Sequence, residues 1–463
     1  AVAEREVFEL TLSAFIALLA SGLAAYLWLR DWHDKAVAAC GAVIYMAMPY
    51  HLVMDLYIRS ALAEFWSFVW MPLVLYFSQR LVEGKSMALP GLAAPTAMLV
   101  MTHMFSTLVF MGFAILYGCL FLPERRKWRG VVRLAYGLVL GTGLAAVYLG
   151  PALAHAQYLA IGRLNSIPHL HYANNFLPAS LTGVDGITPV TLVTLVVAGW
   201  SFFRTRSQAT KTFARERRFW LAASLFSLAM MLPLAKPLWG TLPILQVIQF
   251  PWRFNIVVVV AATALLTMAL GYWQVRAAPA WRAGRVVLPL VLILGVLGTV
   301  KSAEMRNRNQ AAVRSLVSAG SEGQQIVLWA RGTLWDTSRR VDVGKLSGEI
   351  EQVHAEDGGR AKVLKWAPRD IRIQVRSERE GAIVVRQLYY PGWEAHEAAS
   401  GAALKVESTT REGLIRVWVP AGEHEVVLRL YGGVMERLGA AVSGFCLVVL
   451  AGGVVVRRLR CRG

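Results

Sequence analysis

The sequence predicts a mostly α-helical, polytopic membrane protein with an antiparallel β-sandwich inserted before its last helix. Three observations predict it. Of 463 residues, 56% are hydrophobic and only 17% charged, against roughly 45–50% and about 25% in ordinary soluble domains, and mean hydropathy is +0.47. Apolar runs recur at lengths near the roughly 20 residues of a spanning helix. One long polar stretch switches to period-two alternation between closely spaced turn signals, the pattern of half-buried strands.

In chain order, the runs that meet the length requirement are 8–30, 36–56, 62–82, 87–103, 105–123, 131–157, 187–204, 218–236, 253–276, 286–303 and 436–457. Thr102-His103 marks the break between the fourth and fifth. From about Gln325 to Tyr431 the texture changes to runs such as Ile371-Arg372-Ile373-Gln374-Val375-Arg376, Ala382-Ile383-Val384-Val385, Leu414-Ile415-Arg416-Val417-Trp418-Val419 and Glu425-Val426-Val427-Leu428-Arg429-Leu430. Asp357-Gly358-Gly359, Pro391-Gly392 and Pro420-Ala421-Gly422 are the turns between them. The chain therefore divides into a helical domain over 1–303, a sandwich domain over 304–434, and a final helix with a basic tail over 435–463.

A formal net charge of +19, from 48 Lys and Arg against 29 Asp and Glu, raises nucleic acid as a partner, but the position of the charges argues against it. They gather in short loops between apolar spans: Arg125, Arg126, Lys127 and Arg129; Arg204 through Arg218; Arg276, Arg282 and Arg285; Arg457 through Arg462. That is the positive-inside pattern of a plasma-membrane protein. With basic loops cytoplasmic, the C-terminus is cytoplasmic. Segments 50–62, 158–186 and 237–252 and the insert 304–434 are then extracytoplasmic, and so is the N-terminus. The chain opens on Ala1, and Ala1 to Glu9 has neither the apolar core nor the cleavage site of a signal peptide, so an upstream helix is expected. Cys40, Cys119 and Cys446 fall in spans and Cys461 in the basic tail, leaving none to staple the insert, which must be held by its own core.

Some stretches carry a family likeness. Tyr45, Pro49, Tyr50 and His51, then Asp55, Tyr57, Arg59, Ser60 and Glu64, and Trp70 with Pro72 resemble the membrane family labelled 6-pyruvoyl-tetrahydropterin synthase-related. So do Thr102-His103, Tyr148 with Pro151, and Gln249-Phe250-Pro251-Trp252-Arg253-Phe254. The outer module, with Tyr389-Tyr390-Pro391-Gly392-Trp393 and Pro420-Ala421-Gly422-Glu423-His424, is similar to the sandwich appended to many bacterial GT-C type membrane glycosyltransferases. The resemblance spans most of the chain, and the Arg59/Glu64 and Phe250 to Phe254 blocks are its most specific parts. The label does not imply pterin chemistry: the soluble synthase holds zinc with histidines, and on the outer side only His169 and His171 lie together.

The resemblance implies a GT-C-like fold in the bacterial inner membrane. Its partners would be a polyprenyl-phosphate-linked sugar, a glycan or protein acceptor of the cell envelope, and the bilayer, with no nucleic acid. It implies no cofactor and leaves a divalent metal open. Enzymes of that class carry a catalytic Asp or Glu in the first outer loop after the first helix, which falls in the expected upstream segment. Within this chain the fallback bases are Asp185 and Asp55. The rival reading is a non-catalytic scaffold or a transporter of lipid-linked glycans.

Inverting sugar transfer needs a carboxylate to take the acceptor's proton and cations to hold the leaving phosphate. Asp55, Arg59 and Glu64 sit at the junction of two spans, where ionisable groups are costly unless paired; the plain alternative is an Arg59–Glu64 structural ion pair. Arg253 and Lys236 are placed to bind a lipid phosphate, or simply to anchor helices at the interface. His103 either donates to a phosphate or sugar hydroxyl or is a satisfied core histidine. Arg163, His169, His171, Tyr172 and Asn174, with Asn165 and Asn175, form a loop suited to sugar contacts, although a solvated loop has the same composition. Tyr389, Tyr390 and Trp393 are better explained as aromatic core packing than as a carbohydrate platform. No glycine-rich phosphate loop follows a strand, and no serine sits in a nucleophile elbow.

Overall fold

The computed structural model describes residues 2–85, 87–122, 127–156, 170–178, 187–205, 211–276, 352–409 and 413–460. The chain separates into two compact units. One comprises 1–146, 165–306 and 441–463; the other comprises 147–164 and 307–440.

The first unit is helical. Its elements are α1 (Val2–Leu29), α2 (Lys35–Ala47), a π-helix (Tyr50–Ile58), α3 (Leu62–Val82), α4 (Ala88–Thr102), α5 (Met104–Leu120) and α6 (Lys127–Leu144). After α7 (Ala146–His155), which from Val147 on belongs to the second unit, come α8 (Ile187–Arg204), α9 (Lys211–Met231), the short α10 (Lys236–Thr241) and α11 (Pro243–Ile248), and α12 (Asn255–Arg276). The last helix is α13 (Val434–Arg460). Starts and stops follow local chemistry. Asp34 caps α2 by accepting from the backbone N–H of Ala36 and Val37 at 2.9 and 3.0 Å, a cap worth about 1 kcal/mol.

Among the described residues, five helices are long and apolar enough to cross a bilayer, and two pairs interrupted by sharp breaks raise that to seven. The sequence suggested more. The run 286–303 lies outside the described residues. The apolar helices α4 and α5 have only 15 and 17 residues, short of a full span. The runs 131–157 and 218–236 are each broken, after Leu144 and at Leu232.

Burial ranks the helices. Within Pro251–Tyr272, which covers most of α12, 94% of an 18-residue apolar window is buried, whereas within Val434–Val455 the share is 17%. A helix apolar all round belongs at the centre, and one with Leu and Val exposed faces lipid. α12 packs against α2, α5, α8 and α9. Its buried hydroxyls bond to their own helix, Thr263 to Val259 O at 2.8 Å and Thr267 to Thr263 O at 2.7 Å, so no polar group is left bare. A Cβ on Gly41 of α2 would overlap Thr267 and Leu29, and glycine lets α2 approach that closely.

The second unit contains the sandwich, with nine described strands in two antiparallel sheets. One sheet has the order β1 (Val353–Ala355), β4 (Gly381–Leu388), β8 (Leu414–Val419), β7 (Val406–Ser408). The other runs β2 (Arg360–Ala367), β3 (Asp370–Ser377), β9 (Gly422–Leu430), β5 (Trp393–Glu397), β6 (Ala403–Leu404). β3 and β9 pair from Asp370 with Arg429 to Ser377 with Gly422. Alternate residues of both sheets, including Ile371, Ile373, Val375, Ile383, Val385, Ile415, Val417 and Leu428, meet in one core, as period-two patterning requires. Trp393 joins that core, and Tyr389 and Tyr390 pack against it. Gly358 and Gly392 adopt φ of +77° and +109°, left-handed geometry that marks two of the expected turns. Ile373→Ala should cost about 2–5 kcal/mol, read as a lowered denaturation midpoint of the sandwich. An unchanged midpoint would mean that this core does not hold the domain.

An ion pair at the sandwich surface makes its stability pH-dependent. His424 Nδ1 lies 2.5 Å from Glu397 Oε1, and Nε2 donates to Ala421 O at 3.1 Å. The bond to Glu397, then that to Ala421, raises the imidazole above its ordinary value. The Ser400 hydroxyl, then His424, holds Glu397 below its ordinary value. The raised histidine contributes below its unfolded value of about 6.5 and ceases to as pH rises through the folded value. The depressed glutamate contributes above about 4.3 and ceases to as pH falls through its folded value. Both act together between those limits. His424→Gln should flatten the change in melting temperature on the alkaline side of that window, measured by thermal scans from pH 5 to 9.

Candidate functional site

Charge gathers where α2 gives way to α3. Pro49 has no N–H to continue α2 and forces Met48 to extended backbone, φ −55° and ψ 129°. Tyr50–Ile58 then winds as a π-helix, a geometry frequent at functional sites. It closes with Arg59 N bonded to Met54 O at 2.8 Å. Ser60 takes φ +52°, and α3 begins with Glu64 in its first turn, where exposed backbone N–H groups favour a carboxylate.

That path brings four side chains together. The Arg59 guanidinium donates to Asp55 Oδ1 at 2.6 Å and to Glu64 Oε2 at 2.9 Å. Tyr50 donates its hydroxyl to Glu64 Oε1 at 2.8 Å and accepts from Arg59 at 3.3 Å. Asp55 and Glu64 are 0% and 1% exposed, so these are buried ionisable groups held by hydrogen bonds and by Arg59, as burial demands.

The Phe250 to Phe254 block supplies the second half. Gln249 takes φ +70°, and Pro251–Phe254 forms a 3-10 turn leading into α12. Trp252 is buried, not interfacial as its type suggests: its ring lies 4.4 Å from the Arg59 guanidinium and stacks on Phe250. Arg253, 8% exposed, donates to Ile248 O at 2.5 Å and sits over Phe105 and Phe250 at 4.3 and 4.9 Å. It forms no ion pair with a described carboxylate, but Glu64 lies within electrostatic reach of Arg59, His103 and Arg253. Ser60 and Gln249 are two of the three non-glycine residues with positive φ among the described residues. Each stores on the order of 1–3 kcal/mol, and both flank this cluster.

His103 closes α4 and caps α5. Its Nδ1 accepts from Ser106 N at 3.2 Å and lies 2.7 Å from Ser106 Oγ, so the ring proton belongs on Nε2. Ser106 Oγ is 3.2 Å from Ser67 Oγ, which donates to Glu64 O at 2.5 Å. The serines tie His103 to the start of α3. His51 is the opposite tautomer: Nδ1 bonds Tyr45 O at 3.0 Å, and the ring stacks on Phe68.

Among the described residues, four buried polar atoms of this region have no hydrogen-bond partner: Asp55 Oδ2, Arg253 Nε, His51 Nε2 and Trp252 Nε1. Native interiors rarely leave such atoms bare unless a ligand or water completes them. Asp55 presents an acceptor and Arg253 a donor, which together suit a ligand carrying both an anion and a hydroxyl.

A family model described as the 6-pyruvoyl-tetrahydropterin synthase related domain, a membrane protein, matches residues 6–305. The chain belongs to that family. No curated protein and no solved structure matches it. The part of this 6-pyruvoyl-tetrahydropterin synthase-related protein that matches holds every charged residue of the cluster and ends before the first described strand. Among the described residues no three His, Cys, Asp or Glu side chains form a group able to hold a metal.

Of the other described candidates, Tyr172 reaches the Phe250 to Phe254 block only through Trp239, which packs against Phe254. Lys236 is exposed, 5.8 Å from the Phe176 ring, with no hydrogen bond to the Arg59 group. His171 caps a 3-10 turn containing Tyr172 and Asn174, and Tyr172 stacks on Trp239; these contacts order the segment. Arg163, Asn165, His169 and Asp185 lie outside the described residues. Sequence reading missed the parts played by Tyr50, Ser67, Ser106 and Trp252. Tyr50 and Trp252 stood inside the family-like blocks, but nothing in the sequence marked the serines.

Proposed function

We propose that this protein transfers a sugar from a polyprenyl-phosphate donor to a cell-envelope glycan or protein at the extracytoplasmic face of the bacterial inner membrane. The observation that carries the reading is the Asp55 carboxylate: fully buried, one oxygen held by Arg59, the other without a partner, and within electrostatic reach of Arg253. In the proposed reaction the acceptor hydroxyl attacks the anomeric carbon and gives its proton to Asp55 Oδ2. The bond from that carbon to the phosphate oxygen breaks, and Arg253 neutralises the departing polyprenyl phosphate. His103, through Nε2–H, hydrogen-bonds the phosphate or a sugar hydroxyl. Arg59, fixed by Glu64 and Trp252, holds and aims Asp55. The basic loops support a cytoplasmic C-terminus, with the sandwich on the outer face.

One observation favours the non-catalytic alternative, a scaffold or a transporter of lipid-linked glycans. Both Glu64 oxygens are already satisfied, by Tyr50 and Arg59, as in a structural ion knot. The deciding experiment supplies full-length protein in membranes with radiolabelled polyprenyl-phosphate hexoses and follows label into envelope material. Label that remains lipid-linked on one face would end the transferase reading; label that crosses unchanged would favour transport.

A further inference from the structure

A second buried carboxylate stands elsewhere in the helical unit. Glu216, on α9, is 3% exposed. Its Oε1 accepts from the Tyr117 hydroxyl of α5 at 3.1 Å and from Trp220 Nε1 at 3.4 Å. The Tyr117 oxygen in turn accepts from Trp28 Nε1 of α1 at 3.1 Å. Trp28, Tyr117, Phe219 and Trp220 pack edge-to-face or tilted around the carboxyl. Oε2 is buried and has no partner among the described residues.

No cation lies within ion-pair distance of Glu216 among the described residues. On its own helix, Arg217 faces the Phe202 ring at 4.7 Å, and Arg218 donates to Ala214 O at 3.2 Å. Near the end of α1, Arg30 donates to Tyr26 and Asp31 pairs with Arg80. From α5 the one titratable group that touches it is Tyr117. The contrast with the first site is direct: Asp55 and Glu64 are buried with Arg59 between them, and Glu216, among the described residues, is buried among aromatic rings with no counter-charge. A carboxylate desolvated without a counter-charge is disfavoured against the neutral acid. The two donors on Oε1 suit the carbonyl oxygen of a neutral acid and leave Oε2 as the hydroxyl.

We propose that Glu216 is a proton-binding site, its carboxyl carrying a proton on Oε2 at neutral pH. The step is Glu216–COO⁻ plus H⁺ giving Glu216–COOH, with no other reactant. α5 joins it to the Arg59 cluster, since Ser106 reaches one site and Tyr117 the other, about 17 Å apart along the helix at 1.5 Å per residue.

Infrared difference spectra of the full chain in lipid nanodiscs, wild type minus Glu216→Gln, test this at pH 7. A protonated-carboxyl C=O band present in wild type and missing from the variant is expected, and in wild type it should vanish as pH is raised. Thermal midpoints of the two proteins should coincide at neutral pH, because glutamine mimics the neutral acid, and wild type should fall below the variant at high pH. Should Glu216→Gln fail to fold, Glu216→Asp, which shifts the band without removing it, makes the same assignment. Absence of the band at pH 7, or a wild type stabilised by sodium over choline, would mean that Glu216 is ionised and would overturn the proposal.

Discussion

Arg59→Met is expected to be the most damaging single change in the helical unit. The side chain bonds two buried carboxylates at 2.6 and 2.9 Å and rests on Trp252. Removing one partner of a buried pair costs about 3–5 kcal/mol, because a desolvated charge is left behind, and here two are left behind. Expression as monodisperse protein should collapse, or the thermal midpoint fall steeply. Arg59→Lys should rescue only in part, since an ammonium lacks the planar fork that reaches both carboxylates. The sharper arm is the triple change Arg59→Met, Asp55→Asn, Glu64→Gln. With no charge left unpaired, most of the stability should return while function does not. A triple variant as unstable as Arg59→Met alone would show that packing on Trp252, not charge pairing, is what the arginine provides.

Asp55→Asn should separate chemistry from folding. The amide oxygen can still accept from Arg59, and Arg59 keeps Glu64, so the midpoint should move little. A general base typically contributes about 10²- to 10⁴-fold, and sugar transfer from polyprenyl-phosphate donors should fall by that much with donor binding retained. Transfer at the wild-type rate would remove Asp55 as the base. A large fall in stability with the residual activity scaled to folded protein would mark it as a structural partner of Arg59.

Much of the architecture was legible because bilayer thickness and strand pleat impose periods that composition cannot hide. The long apolar runs at 8–30, 187–204 and 253–276 correspond to α1, α8 and α12. The alternating runs near Ile371, Ile383, Ile415 and Val426 became β3, β4, β8 and β9, with their apolar residues facing one core. What escaped was local geometry. A run over 36–56 reads as one span, and only the Met48-Pro49 step hints that its second half winds as a π-helix. The apolar run begins at 218 because Arg215, Glu216, Arg217 and Arg218 read as loop, yet α9 begins at Lys211; hydropathy cannot foresee that Tyr117 and Trp220 enclose a glutamate. Among the site residues, Asp55, Arg59 and Glu64 are close enough in sequence to be grouped on one junction. Arg253 is nearly 200 residues away, and its approach depends on tertiary packing that no spacing rule encodes. Their roles remain what was proposed.

α12, almost wholly enclosed, also sets an order of events during synthesis. The helices that surround it, α2, α5, α8 and α9, all precede it in the chain and leave the ribosome first. Until residue 251 emerges, they must wait around an empty axis, and Arg59 must wait without the indole it will rest on. Translocon-bound intermediates stalled just before Pro251 should therefore be the most vulnerable to membrane proteases, and the charged centre is a product of the last stage of bundle assembly, not of its first.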